Sequence, residues 1–292
     1  MNRGDSLTLW ALIAVASPTS EIACQVVAGA VPVWLIWFRI AVLVVVLATA
    51  AYAKRLRILR PFCFAYLFQL MAVAALAAAR GSSQYHSIVS RDGFIEGQLF
   101  LELVALVLIA PVVVWCLRRR DRFYLRIREL SDPVEPIWAG TDIVRLPWSW
   151  VAPVFAVGAA LCAWAFVGFE GETVPKSWVM VPWAVLFAAG NAFLEEFVNR
   201  NVLAGSVQMD FGAQHAIVVS AFIFGIGHWN GLPAGAIGVL MTFVLGYVAA
   251  KAMVETKGMF WPWFMHALPD CVRFYYWGIG SVAHATIGSG RF

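Results

Sequence analysis

Charged residues are scarce in this chain. Of its 292 residues only 13% are Asp, Glu, Lys or Arg, whereas 62% are hydrophobic. A soluble domain carries about 25% charged residues, so the composition excludes an ordinary soluble domain and indicates a polytopic membrane protein. The net charge of +4 is no signal for nucleic acid, because the basic residues cluster in short loops between apolar runs.

Cysteine motifs and sequence repeats are also missing. The five cysteines are scattered, and no two of them form a Cys-x-x-Cys motif. Most lie within apolar runs, where cysteine behaves as a small hydrophobic residue, so we expect neither a disulfide nor a thiolate metal site. The absence of an internal repeat argues against a transporter built from paired repeats.

Long apolar runs predict an all-α fold, a polytopic membrane bundle of about eight transmembrane helices. Each run is near the ~20 residues that cross the ~30 Å hydrocarbon core of a bilayer. A polar loop is predicted over residues 80–97. Arg39 lies within the run 32–53, where it could pair across helices or snorkel. Residues 7–30 are interrupted at 17–21 and predict a broken or interfacial helix, or a ninth span. The predicted spans are residues 32–53, 61–79, 98–117, 148–169, 178–207, 212–229, 232–253 and 258–279.

The distribution of Lys and Arg predicts the orientation in the membrane. The loops at 54–60 and 118–147 hold eleven basic residues, and those at 80–97 and 170–177 hold three. Basic loops stay on the cytoplasmic side, so the first two loops are expected there. We expect a multi-pass protein of a bacterial or archaeal cytoplasmic membrane.

The most informative stretch lies in the run 178–207. On an α-helix Glu196 and Arg200 are four residues apart and share a face, which predicts an ion pair. Glu195 is rotated by about 100° and falls in line with Asn191 and Asn199. The helix therefore carries a polar ridge beside an ion pair, and Glu195 is the glutamate left available for chemistry.

Two further polar clusters follow on later spans. Phe224-Gly-Ile-Gly-His228 lies near the end of the run 212–229, and His266-Ala-Leu-Pro-Asp270 lies in the last run. Each uses i, i+4 spacing, so its two terminal residues share a helix face. Two histidines at membrane depth beside a carboxylate outside the predicted ion pair are suited to general-base and oxyanion chemistry.

Each piece also has a structural interpretation. A buried Glu–Arg pair can serve only to hold two helices, a lone intramembrane histidine can simply bond a neighbour, and Asp270 can simply orient His266. The conjunction favours function, because ionisable residues within spans are functional candidates by default.

The three motifs in this order resemble the CPBP family, which comprises the type II CAAX prenyl endopeptidases and bacterial relatives linked to bacteriocin processing and immunity. The resemblance covers about residues 150–280. It implies that Glu195 activates a water, that His228 helps to hold that water, and that His266 and Asp270 stabilise the oxyanion. It also makes Glu196 and Arg200 the structural pair, and it implies no cofactor.

The resemblance divides the chain into three parts. Residues 1–147 hold N-terminal membrane helices and a basic loop of no named family, 148–280 form the CPBP-like protease core, and 281–292 are a short tail. The expected partners are the lipid bilayer and a peptide or protein substrate, without nucleic acid.

One residue departs from the prenyl endopeptidases, which carry Asn where this chain has Asp270. An aspartic acid can donate to an oxyanion only when it is protonated, and otherwise it could orient His266. The Asn of the resembling enzymes favours the donor role. Either way, the departure weakens the expectation of a prenylated substrate more than that of a protease.

Two alternative functions stay open. Glu195, His228 and His266 could instead bind zinc with an open coordination position, although the chain lacks His-Glu-x-x-His. The chain could also be a non-catalytic membrane immunity or scaffold protein that keeps the fold. The substrate itself could be a CAAX-type protein, a leader peptide or a sorting tail.

Overall fold

The protein is helical throughout the part of the chain that can be described. The computed structural model describes residues 3–136, 145–168, 178–231 and 233–287, and these ranges contain no β-strand. The all-α prediction is therefore confirmed. The predicted loop at 170–177 and the end of the predicted tail lie outside the described residues.

The helices follow the apolar runs, with one π-helical segment (Phe197–Ala204) and one 3-10 segment (Lys54–Leu59). In chain order they are α1 (Arg3–Ala16), α2 (Pro18–Ala28), α3 (Leu35–Tyr52), α4 (Arg60–Arg80), α5 (Ser83–Asp92), α6 (Phe94–Leu117), α7 (Trp148–Gly168), α8 (Met180–Glu196), α9 (Gly205–Phe211), α10 (Ala213–Ile226), α11 (Gly235–Thr256) and α12 (Phe260–Ile287).

Several helices are long and apolar enough to cross a membrane. Within the described ranges there are six such spans, or seven if the bent pair α1–α2 forms one. The predicted multi-pass membrane protein is confirmed, whereas the number of eight spans is not. The run 212–229 contributes α10, which at 14 residues is shorter than the ~20 residues of a full span.

The helices group into two compact units. The first comprises Met1–Met71 and Val198–Lys251, and the second comprises Ala72–Phe197 and Ala252–Phe292. The boundaries at 147 and 280, drawn from the family resemblance, concern a different division and stay predictions.

In the first unit the interruption near Ser17 is a sharp bend. The axes of α1 and α2 differ by 52°, Ser17 caps α2 through the Thr19 amide, and Pro18 occupies the first turn. At the bend the buried Ala16 carbonyl accepts a hydrogen bond of 2.6 Å from Nε of Arg39. The predicted broken helix is thereby confirmed.

Arg39 is the buried polar centre of this first unit. Its side chain is 2% exposed, and it forms a salt bridge with Glu21 of α2. Its Nη2 also donates to the Tyr66 hydroxyl of α4 over 3.2 Å. The predicted pairing of Arg39 across helices is confirmed.

In the second unit α12 packs against α7 and α8. Ala184, Phe187 and Ala188 of α8 form a buried core with Phe274 of α12. At Gly278 the Met180 side chain of α8 fills the space that a Cβ would occupy. Large and small residues thus fix α12 beside α8, which brings their polar residues together.

The predicted polar loop at 80–97 is wrong, because it contains α5. The Ser82 side chain accepts from the Tyr85 amide and caps this helix. A Cβ at Gly97 of α6 would lie 2.7 Å from Val89 and 3.4 Å from Tyr85. The polarity of the segment reflects the exposed face of a short amphipathic helix.

We expect Arg39→Leu to destabilise the protein by about 1–3 kcal/mol, because it leaves the Ala16 carbonyl without its buried donor and removes the salt bridge to the partly exposed Glu21. Thermal unfolding in detergent measures the effect. Arg57→Leu removes an exposed arginine and serves as the control. Equal unfolding temperatures for the two variants would contradict this role of Arg39.

Candidate functional site

The Glu-Glu motif sits where the helix changes its geometry. Glu196 ends α8, and Phe197–Ala204 continue as a π-helix. A π-helix bonds residues five apart, and such segments are frequent at functional sites. The α-helical spacing used to pair Glu196 with Arg200 and to align Glu195 with Asn199 therefore ends at Glu196, and both arrangements stay predictions.

On the α-helical side of this junction, Asn191 joins two carboxylates. Its Nδ2 donates to Oε1 of Glu195 over 3.1 Å and to Oδ2 of Asp270 over 2.7 Å. The structure thus brings Glu195 of α8 and Asp270 of α12 to one amide group. The spacing along α8 pointed to the first bond, but nothing in the sequence pointed to the second.

Glu196 of α8 and His266 of α12 form the centre of the cluster. Nδ1 of His266 lies 2.8 Å from Oε1 of Glu196, and the two side chains are 5% and 0% exposed. A carboxylate can only accept, so Nδ1 is the donor. Glu196 therefore fixes the orientation of the imidazole.

The other ring nitrogen faces the remaining carboxylates. Nε2 of His266 lies 3.8 Å from Oε2 of Glu195 and 3.7 Å from Oδ2 of Asp270. Both distances exceed those of good hydrogen bonds. The Glu195 side chain is 32% exposed, so it is the accessible carboxylate of this largely buried group.

Arg273 also belongs to this cluster, although none of the sequence motifs included it. Its Nη2 lies 3.2 Å from Oδ1 of Asp270, one helical turn away. Its guanidinium also lies 4.9 Å from the ring centroids of Phe274 and Trp277. The i, i+3 spacing to Asp270 could have revealed this salt bridge.

Glu102 of α6 is a further carboxylate beside α8. A Cβ on Gly190 would lie 2.6 Å from Oε2 of Glu102, so the glycine makes room for the carboxyl group. Gln98 donates to Oε1 of Glu102 over 3.5 Å. The sequence signal was an ionisable residue within an apolar run, but it did not reveal which helix Glu102 faces.

The remaining predicted site residues belong to the first unit. Asn199 accepts from Nε2 of Gln69 over 2.9 Å, and the Arg200 guanidinium lies 4.1 Å from the ring centroid of Phe224. His228 Nδ1 lies 2.8 Å from the Phe224 carbonyl oxygen, which can only accept. The predicted roles of these three residues are not tested by their contacts.

No group of three or more His, Cys, Asp and Glu side chains within the described ranges has an arrangement that could hold a metal ion. The cluster of α8 and α12 instead consists of hydrogen bonds and salt bridges. It combines an accessible carboxylate, a fixed imidazole and a carboxylate held by Arg273.

We expect the Glu196–His266 bond to be a coupled pair. A thermal-stability cycle of Glu196→Leu, His266→Leu and the double variant should give a coupling energy of about 0.5–3 kcal/mol, because either single change leaves a buried polar group without its partner. The same cycle with Arg200→Leu in place of His266→Leu tests the predicted ion pair. Additive effects of Glu196→Leu and His266→Leu would contradict the bond.

Comparison with known proteins agrees with the motifs. Residues 176–272 match the family model described as type II CAAX prenyl endopeptidase, Rce1-like. No curated protein and no solved structure matches the chain. The match encloses all three motifs, and the family is one of membrane proteases that act on peptide or protein substrates. The predicted relationship to the CPBP family of CAAX-type endopeptidases is thereby confirmed for residues 176–272.

Proposed function

We propose that this protein is an intramembrane endopeptidase in which Glu195 is the general base that activates a water. The observation that carries the proposal is the contrast between two adjacent glutamates. Glu196 is fully buried and bonded to His266, whereas Glu195 is 32% exposed beside the same ring. A general base must reach both a water and the substrate, and only Glu195 of the two is accessible.

Asn191 prepares Glu195 for this role. Its amide donates to Oε1 of Glu195, and Oε2 is the oxygen proposed to take a proton from water. Oε2 is also the oxygen nearest to Nε2 of His266, at 3.8 Å. The base and the imidazole therefore lie side by side, as the two halves of a hydrolytic site require.

His266 is proposed to stabilise the oxyanion. Its Nδ1–H is engaged by Glu196, so Nε2 can donate only if the ring carries both protons. An imidazolium fixed on one side by a buried carboxylate is a preorganised donor for developing negative charge.

In the proposed reaction Glu195 carries the only proton that is transferred, from water to the leaving amide nitrogen. Glu195 takes a proton from water, and the hydroxide oxygen bonds to the peptide carbonyl carbon to form a tetrahedral oxyanion. Protonated Glu195 then gives its proton to the amide nitrogen as the C–N bond breaks. The products are a carboxylic acid and an amine, and Glu195 is again a carboxylate.

For Asp270 the contacts support an ionised positioning role over the donor role expected from the sequence. Its Oδ1 accepts from Arg273 and its Oδ2 accepts from Asn191. A carboxylate that accepts on both oxygens needs no proton of its own. Asp270 then holds Asn191, and through it Glu195, while His266 supplies the donor.

The family relationship supports the rest of the proposal. By that resemblance His228 helps to hold the attacking water, and Glu196 and Arg200 form a structural pair. The substrate class is a membrane-associated protein or peptide, either a CAAX-type tail or a leader or sorting tail. We place the protein in a bacterial or archaeal cytoplasmic membrane with its basic loops on the cytoplasmic side.

We expect Glu195→Gln to lower the cleavage rate of a membrane peptide by about 10²–10⁴-fold, because Gln keeps the size and polarity but cannot take a proton. Glu96→Gln removes an exposed carboxylate from α6 and should leave the rate unchanged. Thermal unfolding should be similar for both. A fully active Glu195→Gln protein would refute the assignment.

The same assay separates the alternatives. A zinc enzyme would lose activity with a chelator and regain it with Zn²⁺, whereas the proposed mechanism is insensitive to both. A non-catalytic scaffold would cleave no peptide in any form.

Asp270→Asn should lower the rate by about 10²-fold at all pH values. Asn places an NH₂ group against the donor of either Arg273 or Asn191, so one of the two contacts is lost. A pH–rate profile of the purified wild type and variant measures this. If Asp270 instead donates as the protonated acid, the Asn variant will stay active and extend its activity to higher pH.

A further inference from the structure

Three successive arginines close the membrane-spanning helix α6. Arg118, Arg119 and Arg120 are exposed, and two large apolar side chains in the last turn of α6 are exposed as well. Trp115 is 46% and Leu117 is 51% exposed, and the Arg119 guanidinium lies 4.7 Å from the Trp115 ring centroid. Arginine and tryptophan together at the end of a span are typical of the lipid headgroup region.

The loop that follows these arginines has a defined structure. The Arg126 carbonyl accepts from the Met259 amide over 3.0 Å, and the Leu130 carbonyl accepts from Nε1 of Trp261 over 2.9 Å. Met259 immediately precedes α12, and Trp261 lies in its first turn. Lys257 also forms a salt bridge of 3.3 Å with Glu129. The loop is therefore fixed to the helix that carries His266 and Asp270.

Left-handed backbone conformations occur on both sides of this contact. The positive φ angles are 53° at Tyr124, 45° at Glu129 and 51° at Lys257. Such angles are uncommon for residues other than glycine and persist where the surrounding contacts hold them. Two lie in the loop and the third lies in the turn that receives it.

The arginines of this region have two different roles. Arg126 and Arg128 form salt bridges with the exposed Asp121. Their charges are therefore paired within the loop. Arg118, Arg119 and Arg120 are instead presented at the surface, next to the exposed Trp115 ring.

We propose that Arg118, Arg119 and Arg120 form a binding surface for the headgroups of anionic phospholipids, and that the fixed loop passes this contact to α12. Guanidinium groups match the geometry of phosphate oxygens. Clusters of basic residues beside a span bind anionic lipid. The exposed apolar side chains of Trp115 and Leu117 favour a lipid over a soluble phosphate, because they need a hydrocarbon boundary.

Binding is tested on delipidated full-length protein in detergent by native mass spectrometry with phosphatidylglycerol or phosphatidylcholine. The joint variant Arg118→Gln, Arg119→Gln, Arg120→Gln should weaken phosphatidylglycerol binding by about 100-fold at low salt, since each basic side chain near an anionic surface contributes about fivefold. The corresponding triple Lys variant should keep most of it. The triple variant Lys54→Gln, Arg55→Gln, Arg57→Gln removes three exposed cations elsewhere and is the control.

Several outcomes would contradict a lipid-binding role of these three arginines. One is that the protein binds phosphatidylglycerol and phosphatidylcholine equally well. Another is that the control variant loses as much phosphatidylglycerol binding as the Arg118, Arg119, Arg120 variant. A third is that inorganic phosphate displaces phosphatidylglycerol as effectively as added phosphatidylglycerol does. Binding that does not weaken as salt rises would also contradict it, since salt screens exposed charges.

The proposed coupling of lipid binding to α12 rests on the proposed endopeptidase activity, and the rate of peptide cleavage measures it separately from lipid binding. Peptide cleavage in nanodiscs should rise several-fold when phosphatidylglycerol replaces phosphatidylcholine, and the triple Gln variant should lose this rise while keeping the rate in phosphatidylcholine. An unchanged rise in the triple Gln variant would overturn the coupling. No cleavage in either lipid, with lipid binding intact, would instead refute the proposed function alone.

Discussion

The hydrogen bond between Glu196 and His266 is the constraint on which the candidate site depends. It joins α8 to α12 over 2.8 Å between two side chains that are almost entirely buried. A carboxylate in such surroundings is costly unless it is paired, and this bond also fixes which ring nitrogen faces Glu195. The two adjacent glutamates differ in exposure because their helical positions differ by about 100°. One is turned into the protein, and the other stays within reach of water.

Local periodicity predicted much of this arrangement. The apolar runs indicated the membrane helices, and the spacing of Asn191 and Glu195 indicated a bond that the structure contains. The contact of His266 with Glu196 could not be predicted, because 70 residues separate them and only the packing of α12 on α8 brings them together. The π-helix after Glu196 could not be predicted from the sequence either, because the spacing rules assume α-helical geometry throughout. By contrast, α5 was missed because its polar residues were interpreted as a loop.

Helix α12 connects the parts of the second unit. Small residues bring it against α8, its middle turns supply His266 and Asp270, and its start receives the basic loop through Met259 and Trp261. Asp270 is held from two helices, by Arg273 of α12 and by Asn191 of α8. A shift of α12 would therefore disturb His266, Asp270 and Glu195 together, because Glu196 contacts His266 and Asn191 joins Asp270 to Glu195.

The most direct test of this account is the protonation of His266 in the resting protein. Nitrogen NMR of protein labelled with ¹⁵N-histidine, with His266 assigned by its loss in His266→Leu, distinguishes the two ring nitrogens. The account predicts a protonated Nδ1 whose proton is strongly deshielded by Glu196, and loss of this signal in Glu196→Leu. An unprotonated Nδ1, or a spectrum unchanged in Glu196→Leu, would contradict it.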